Sequence, residues 1–323
     1  MSLDWLAWSN PVAIWWGSLL VVSSANIALW LLLHRRSRRQ VLDRARGIFR
    51  IELLLALCAA YVFGCAFRAV LPRADVQRIC LFDTWLSSVF VGRSVATVAE
   101  VCFVVQWAIV LRQLAIITRS DTARNISTII VPLIVLAECC SWYAVITTSY
   151  LGNTLENSLW TVTFLLIAAA LVRLSVDFHG AFRWVIAAAV AGIFGYVAFM
   201  LTVDVPMYFG RWQADLARGK ELLGLVSGLE DVSSRWAVTH DIAEWRDEIA
   251  WMSLYFSTAV WSSLALCGFG LIKDILPRYC RRPSAARRLS SARAGVRLAL
   301  RPALIARHQM RPADHPRGRL RTR

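Results

Sequence analysis

Seven apolar runs, each close to the length of a bilayer crossing, occupy most of this chain, and nothing else in it constrains the fold as strongly. A helix needs roughly 20 apolar residues to cross a hydrocarbon core of about 30 Å. Helix is the expected form because no backbone amide or carbonyl can be left without a partner at that depth. The runs fall at 11–33, 50–71, 87–111, 127–149, 157–176, 182–203 and 249–275. A hydrophobic content of 58% and a mean hydropathy of +0.53 exclude an ordinary soluble domain. The expected fold class is all-α: a polytopic α-helical membrane bundle of seven transmembrane helices.

Arginine placement predicts the orientation. His34, Arg35, Arg36, Arg38 and Arg39 follow the first run, Arg112, Arg119 and Arg124 lie about the third-to-fourth junction, and Arg173 and Arg183 flank the fifth-to-sixth. Basic loops stay in the cytoplasm, so the N-terminus is expected outside and the C-terminus inside. The alternate loops agree. Segment 72–86 is mixed in sign, the stretch from Asn153 to Glu156 has no base, and the one from Asp204 to Glu248 has more acids than bases. The first run is too long, and too poor in preceding bases, for a cleaved signal peptide. Short loops and a near absence of lysine (Lys220 and Lys273 only) point to a bacterial inner membrane.

A net charge of +15 would suggest nucleic acid as a partner in a soluble protein. Here fourteen arginines from Arg278 onward, against Asp314 alone, carry thirteen of those charges. The chain therefore divides into a membrane domain, 1–277, and an arginine-rich cytoplasmic tail, 278–323, whose lack of a core pattern predicts disorder. Membrane lipids, not nucleic acid, are the expected partners. Within the domain, 205–248 reads as an external helical loop, with Leu216, Leu222, Leu223, Val226 and Leu229 spaced for one helical face.

The eight cysteines show no metal-ligand spacing. Most lie in apolar runs, where cysteine acts as a small apolar residue. Cys80, in an external loop, could pair with Cys65 or Cys139 in an oxidising compartment. Tryptophans such as Trp5, Trp15, Trp85, Trp160, Trp245 and Trp251 cluster at the predicted outer boundary, as an aromatic belt would.

Within the second, third and fourth runs lie the ionisable residues Arg68, Arg93, Glu100 and Glu138. A charge there costs about 2.5 kcal/mol or more, so such residues pair or line a wet cavity. Arg93, Thr97 and Glu100 share one helical face. Two turns, about 10 Å, separate Arg93 from Glu100, which predicts a separate partner for each: Glu138 for Arg93, and Asp83 for Arg68. His240, Glu244 and Glu248 recur every four residues, a spacing that suits a divalent metal or an acid–base pair as well as an acidic helix start. Buried histidine pairs, HExxH, GxSxG and phosphate-binding loops are all lacking, so neither a cofactor nor a metal is expected.

The functional expectation is an outward-facing polar cavity that binds a lipid or small anionic ligand. Arg68 and Arg93 would meet the anionic group and Glu100 and Glu138 would hold them, with Asp83, His240 and Glu244 above and 205–248 as a lid. One alternative is a membrane-embedded enzyme of lipid or envelope metabolism, with Glu100 or Glu138 as general base and His240 as proton carrier. The other is a proton- or ion-coupled transporter, against which the odd span count and missing repeat weigh.

Overall fold

Each apolar run folds as a helix and, in most cases, the helix outruns it. The computed structural model describes residues 4–6, 9–43, 48–272 and 276–280. Trp8 and the tail beyond Cys280, with the expectation of disorder made for it, lie outside the described residues. Five single helices come first: α1 (Pro11–Asp43), α2 (Ile48–Val70), α3 (Val89–Thr118), α4 (Asp121–Thr147) and α5 (Tyr150–Ser175). The sixth span is α6 (Ala181–Phe199), a π-helical turn (Met200–Asp204) and α7 (Val205–Ala217) in one unbroken rod of 37 residues. After α8 (Leu225–Ser234) comes the seventh: α9 (Ile242–Leu254), a second π-helical turn (Tyr255–Ala259) and α10 (Val260–Ile272). Seven helices are thus long and apolar enough to cross a membrane, the architecture of a multi-pass membrane protein.

Local chemistry sets the turns. Ser88 and Ser120 cap α3 and α4 by accepting from the amides of Val91 and Ala123. The α3–α4 and α4–α5 connections are each two residues long, and both turn through a left-handed residue, Arg119 (φ 58°) and Thr148 (φ 61°). Connections that short force neighbouring helices to pack antiparallel. α5 lies especially close to α4, because a Cβ on Gly152 would sit 2.6 Å from the Cys140 carbonyl.

Helices α1 to α5 and α10 supply most of the main core, to which α6 adds Phe182, Ile186, Ile193 and Val197, and among the long spans α6 packs chiefly on α5. At one end a small three-stranded sheet joins distant segments. β1 (Arg73–Ala74) runs antiparallel to β2 (Ile79–Cys80), and β2 runs parallel to β3 (Ala237–Val238). Arg78 ties this sheet to α8 and α4: Nε binds Asp231 at 2.7 Å and Nη2 donates to the Val145 carbonyl at 2.6 Å.

Several local expectations need correcting. Leu216 lies on α7 and Val226 and Leu229 on α8, with Leu222 and Leu223 in the break between, so the five never form one helical face. Trp5, Trp15, Trp160 and Trp245 are buried, Trp245 completely, so the outer tryptophans are not simply a belt. All eight cysteines are free. Cys80 is buried with its thiol turned to the Phe82 carbonyl, and burial pushes it up to about 11.

Candidate functional site

Every buried charge expected inside the spans converges on one place, and further charges join them. Arg93, one turn into α3, reaches Glu138 on α4 at 2.7 Å, Glu100 on its own helix at 3.0 Å and Glu156 on α5 at 3.4 Å. The Arg93–Glu138 pair is the expected one. The Arg93–Glu100 contact is not: a helical rise of about 10 Å separates their backbones, but two long side chains leaning towards each other close it. Thr97 donates to Glu138 at 2.6 Å, Trp142 donates to Thr97 at 3.1 Å, and the Tyr255 hydroxyl donates to Glu100 at 2.8 Å. The carboxylate oxygens of Glu100, Glu138 and Glu156 lie within 4.8 Å of one another, close enough to share a cation. The cation they share is the Arg93 guanidinium.

Arg68 differs from its expected arrangement. Asp83 is not its partner; that carboxylate accepts from Trp236 Nε1 at 3.0 Å. Arg68 instead points between Glu100 (3.9 Å) and Asp75 (4.0 Å), flanked by the Trp251 and Tyr255 rings. Asp75 is claimed by Arg73 at 2.7 Å. Burial alone would push the Asp75 carboxyl up, but Arg73, Arg68 and Arg93 outweigh it and hold it at about 2. Arg73 reaches this position across Gly92, whose missing side chain leaves the space that the guanidinium fills.

The histidine–glutamate series does not converge. His240 bonds the Leu81 carbonyl at 2.9 Å and stacks on Trp5, Glu244 is exposed, and Glu248 is buried elsewhere. Glu248 accepts from Gln77 at 2.7 Å and Trp251 at 2.6 Å, with Arg211 at 3.6 Å. These three residues are therefore not a ligand set. Asp204, which ends the first π-helical turn, accepts from Asn157 at 2.5 Å.

The charges form the head of a cavity of about 810 Å³. Below Glu100 its walls turn apolar: Phe103, Trp107 and Leu114 on α3, Leu171 on α5, Ile186 on α6 and Leu266 on α10. From Glu100 to Leu114 the channel follows α3 for about 21 Å. Its side is open. Val185 on α6 and Trp261 on α10 both line it, yet they are 60% and 52% exposed, and between them α6 and α10 hardly pack. Phe182 meets Phe269 at 6.3 Å between centroids and closes the far end.

Sequence reasoning missed Glu156, Asp75 and Asp204, and placed Glu248 only in the histidine–glutamate series. Glu156 and Asp204 sat at the edges of apolar runs and read as loop residues, although Ser149 before Tyr150 signals an earlier start for α5. No known protein family, curated protein or solved structure matches this chain.

Proposed function

We propose that this protein binds a membrane amphiphile in the cavity, with the polar head among the buried charges and the chain in the groove between α6 and α10. The observation that carries the reading is the form of the cavity: one continuous space, charged at one end, apolar along about 21 Å of helix, and open sideways where two spans fail to pack. A small soluble ligand has no use for an apolar channel longer than one leaflet of about 15 Å. The chain of a lipid does.

By the positive-inside rule the end bearing the sheet and the charged head is external, the N-terminus lies outside, and the arginine-rich ends of α1, α3 and α5 face the cytoplasm. In a bacterial inner membrane, a lipid of the outer leaflet would then pass sideways between α6 and α10. The enzyme and transporter readings have no comparable observation of their own.

Gly192 on α6 tests the proposal, because it lines the cavity and a Cβ there meets nothing within 4 Å. Gly192→Trp fills the groove without disturbing a packed interface. Lipid should co-purify with the wild-type protein, detectable by mass spectrometry, and be lost from a Gly192→Trp variant of unchanged thermal midpoint. Equal lipid in both proteins, or none in the wild type, would defeat the reading.

A further inference from the structure

Most charges in the cavity are matched. Arg73 holds Asp75, Arg93 holds three glutamates, and Glu248 has Gln77, Trp251 and Arg211. Two are not. Arg68 is only 5% exposed, yet its nearest carboxylate oxygens lie at 3.9 and 4.0 Å, and among the described residues its guanidinium makes no hydrogen bond. Asp204 is 7% exposed, and among the described residues no basic side chain comes within 4.0 Å of it; it accepts a hydrogen bond from Asn157. Both line the same cavity, and they do not pair with each other.

A buried charge whose counter-charge is distant or lacks a hydrogen bond is costly, so a ligand that supplies a close partner to each gains from both. We infer that the head group this cavity takes is zwitterionic: an anionic oxygen, phosphate or carboxylate, meets Arg68, and an amine meets Asp204. This rests on the amphiphile reading above and narrows its substrate class. Of the two ligands expected from the sequence, a lipid or a small anion, the small anion fits less well. The acids lining the cavity (Asp75, Glu100, Glu156, Asp204 and Glu248) outnumber the three arginines, Arg68, Arg73 and Arg93.

Two structural details agree. The π-helical turns, an uncommon form that recurs at functional sites, fall at Met200–Asp204 and Tyr255–Ala259. One presents Asp204; the other presents Tyr255 against Arg68. Aromatic rings also line the head, among them Trp160, Tyr196 and Tyr208, and ring faces favour an ammonium group.

The test measures binding of three probes to the purified full-length protein. They are a phosphatidylethanolamine, a phosphatidylglycerol with the same acyl chains, and glycerophosphoethanolamine, which keeps the head and lacks the chains. A charge-assisted hydrogen bond in a buried site corresponds to roughly 10- to 100-fold in affinity. The wild type should therefore prefer phosphatidylethanolamine over phosphatidylglycerol by at least about tenfold, and Asp204→Asn should abolish that preference. Arg68→Gln should weaken both lipids. Should Arg68→Gln not fold, the isosteric Asp204→Asn decides alone.

Equal affinities in the wild type, or a preference that survives in Asp204→Asn, would overturn the zwitterion while leaving the lipid site standing. Glycerophosphoethanolamine binding as tightly as the full lipid, with Asp204 still required, would overturn the lipid site and keep the zwitterion. No binding of any probe would overturn both.

Discussion

Removing Arg93 should be among the most damaging single changes in the bundle. Its guanidinium meets Glu138 at 2.7 Å, Glu100 at 3.0 Å and Glu156 at 3.4 Å, all deeply buried. Arg93→Met keeps most of the volume and leaves three carboxylates facing one another, with Thr97 and Tyr255 as donors that carry no charge. Breaking a buried ion pair by deleting one partner costs about 3–5 kcal/mol. A second route to the magnitude agrees. The stranded carboxylates can escape by taking up protons, and from an ordinary carboxyl near 4.3 that costs about 4 kcal/mol per group at pH 7 but about 1 kcal/mol at pH 5. The loss should therefore shrink as pH falls. A suitable assay is equilibrium unfolding in mixed micelles at both pH values, with Glu138→Gln to complete a double-mutant cycle. The Arg93–Glu138 coupling should be about 1–3 kcal/mol. Asp247→Asn serves as control: its pair with Arg211 has the aspartate side chain 58% exposed and should be worth less than about 1 kcal/mol. If Arg93→Met were no worse than this control, or its cost the same at both pH values, the account of the network as a shared buried cation would be wrong.

Three further outcomes follow from the same structure. Gly92→Ala places a methyl where the Arg73 guanidinium lies; expulsion of that side chain should lower the thermal midpoint and weaken lipid binding, and an unchanged variant would show that Arg73 has room elsewhere. Asp75, held at about 2 against an ordinary value near 3.8, contributes about 2 kcal/mol. Because its carboxyl is depressed in the fold, this contribution is whole above about pH 4 and lost as pH falls through about 2; Asp75→Asn should flatten stability across that window and no other. Cys80, buried and pushed up to about 11, should resist maleimide at pH 7 until the protein unfolds, and prompt labelling in the folded state would show that the sheet end opens.

The membrane character of the fold was legible because hydropathy reports span content directly, and one pair, Arg93 with Glu138, was legible because an isolated charge in an apolar run needs a partner at similar depth. What hydropathy does not report is where a helix stops. α5 begins at Tyr150 and the sixth span runs to Ala217, because a helix persists beyond the hydrocarbon wherever caps and packing allow. Glu156 and Asp204 were consequently assigned to loops. The Asp83 expectation failed for a different reason. Asp75 stands closer to Arg68, brought there by the reversal between β1 and β2, and two-residue strands leave no period-2 signal in a sequence. His240 and Glu244 illustrate a third limit: spacing by four implies a shared face only within one helix, and His240 precedes the α9 cap, Asp241.

The unequal packing of the spans bears on where selectivity resides. Half of the most apolar window of α2, α3 and α5 is buried within the protein, but only 22% of that of the sixth span. In water such a helix would be a weak point. In a bilayer the lipid tails are as apolar as leucine, so a span gains little hydrophobic stabilisation from docking on its neighbours, and the gap between α6 and α10 is cheap to keep. The same reasoning removes the chain of the proposed ligand as a source of discrimination, since it exchanges one apolar surroundings for another. Selectivity must then come from the head, where the alternatives are a matched charge or a stranded one. Variants in the groove, such as Gly192→Trp, should therefore lower the affinity for all lipids together, whereas Asp204→Asn should change which lipid is preferred.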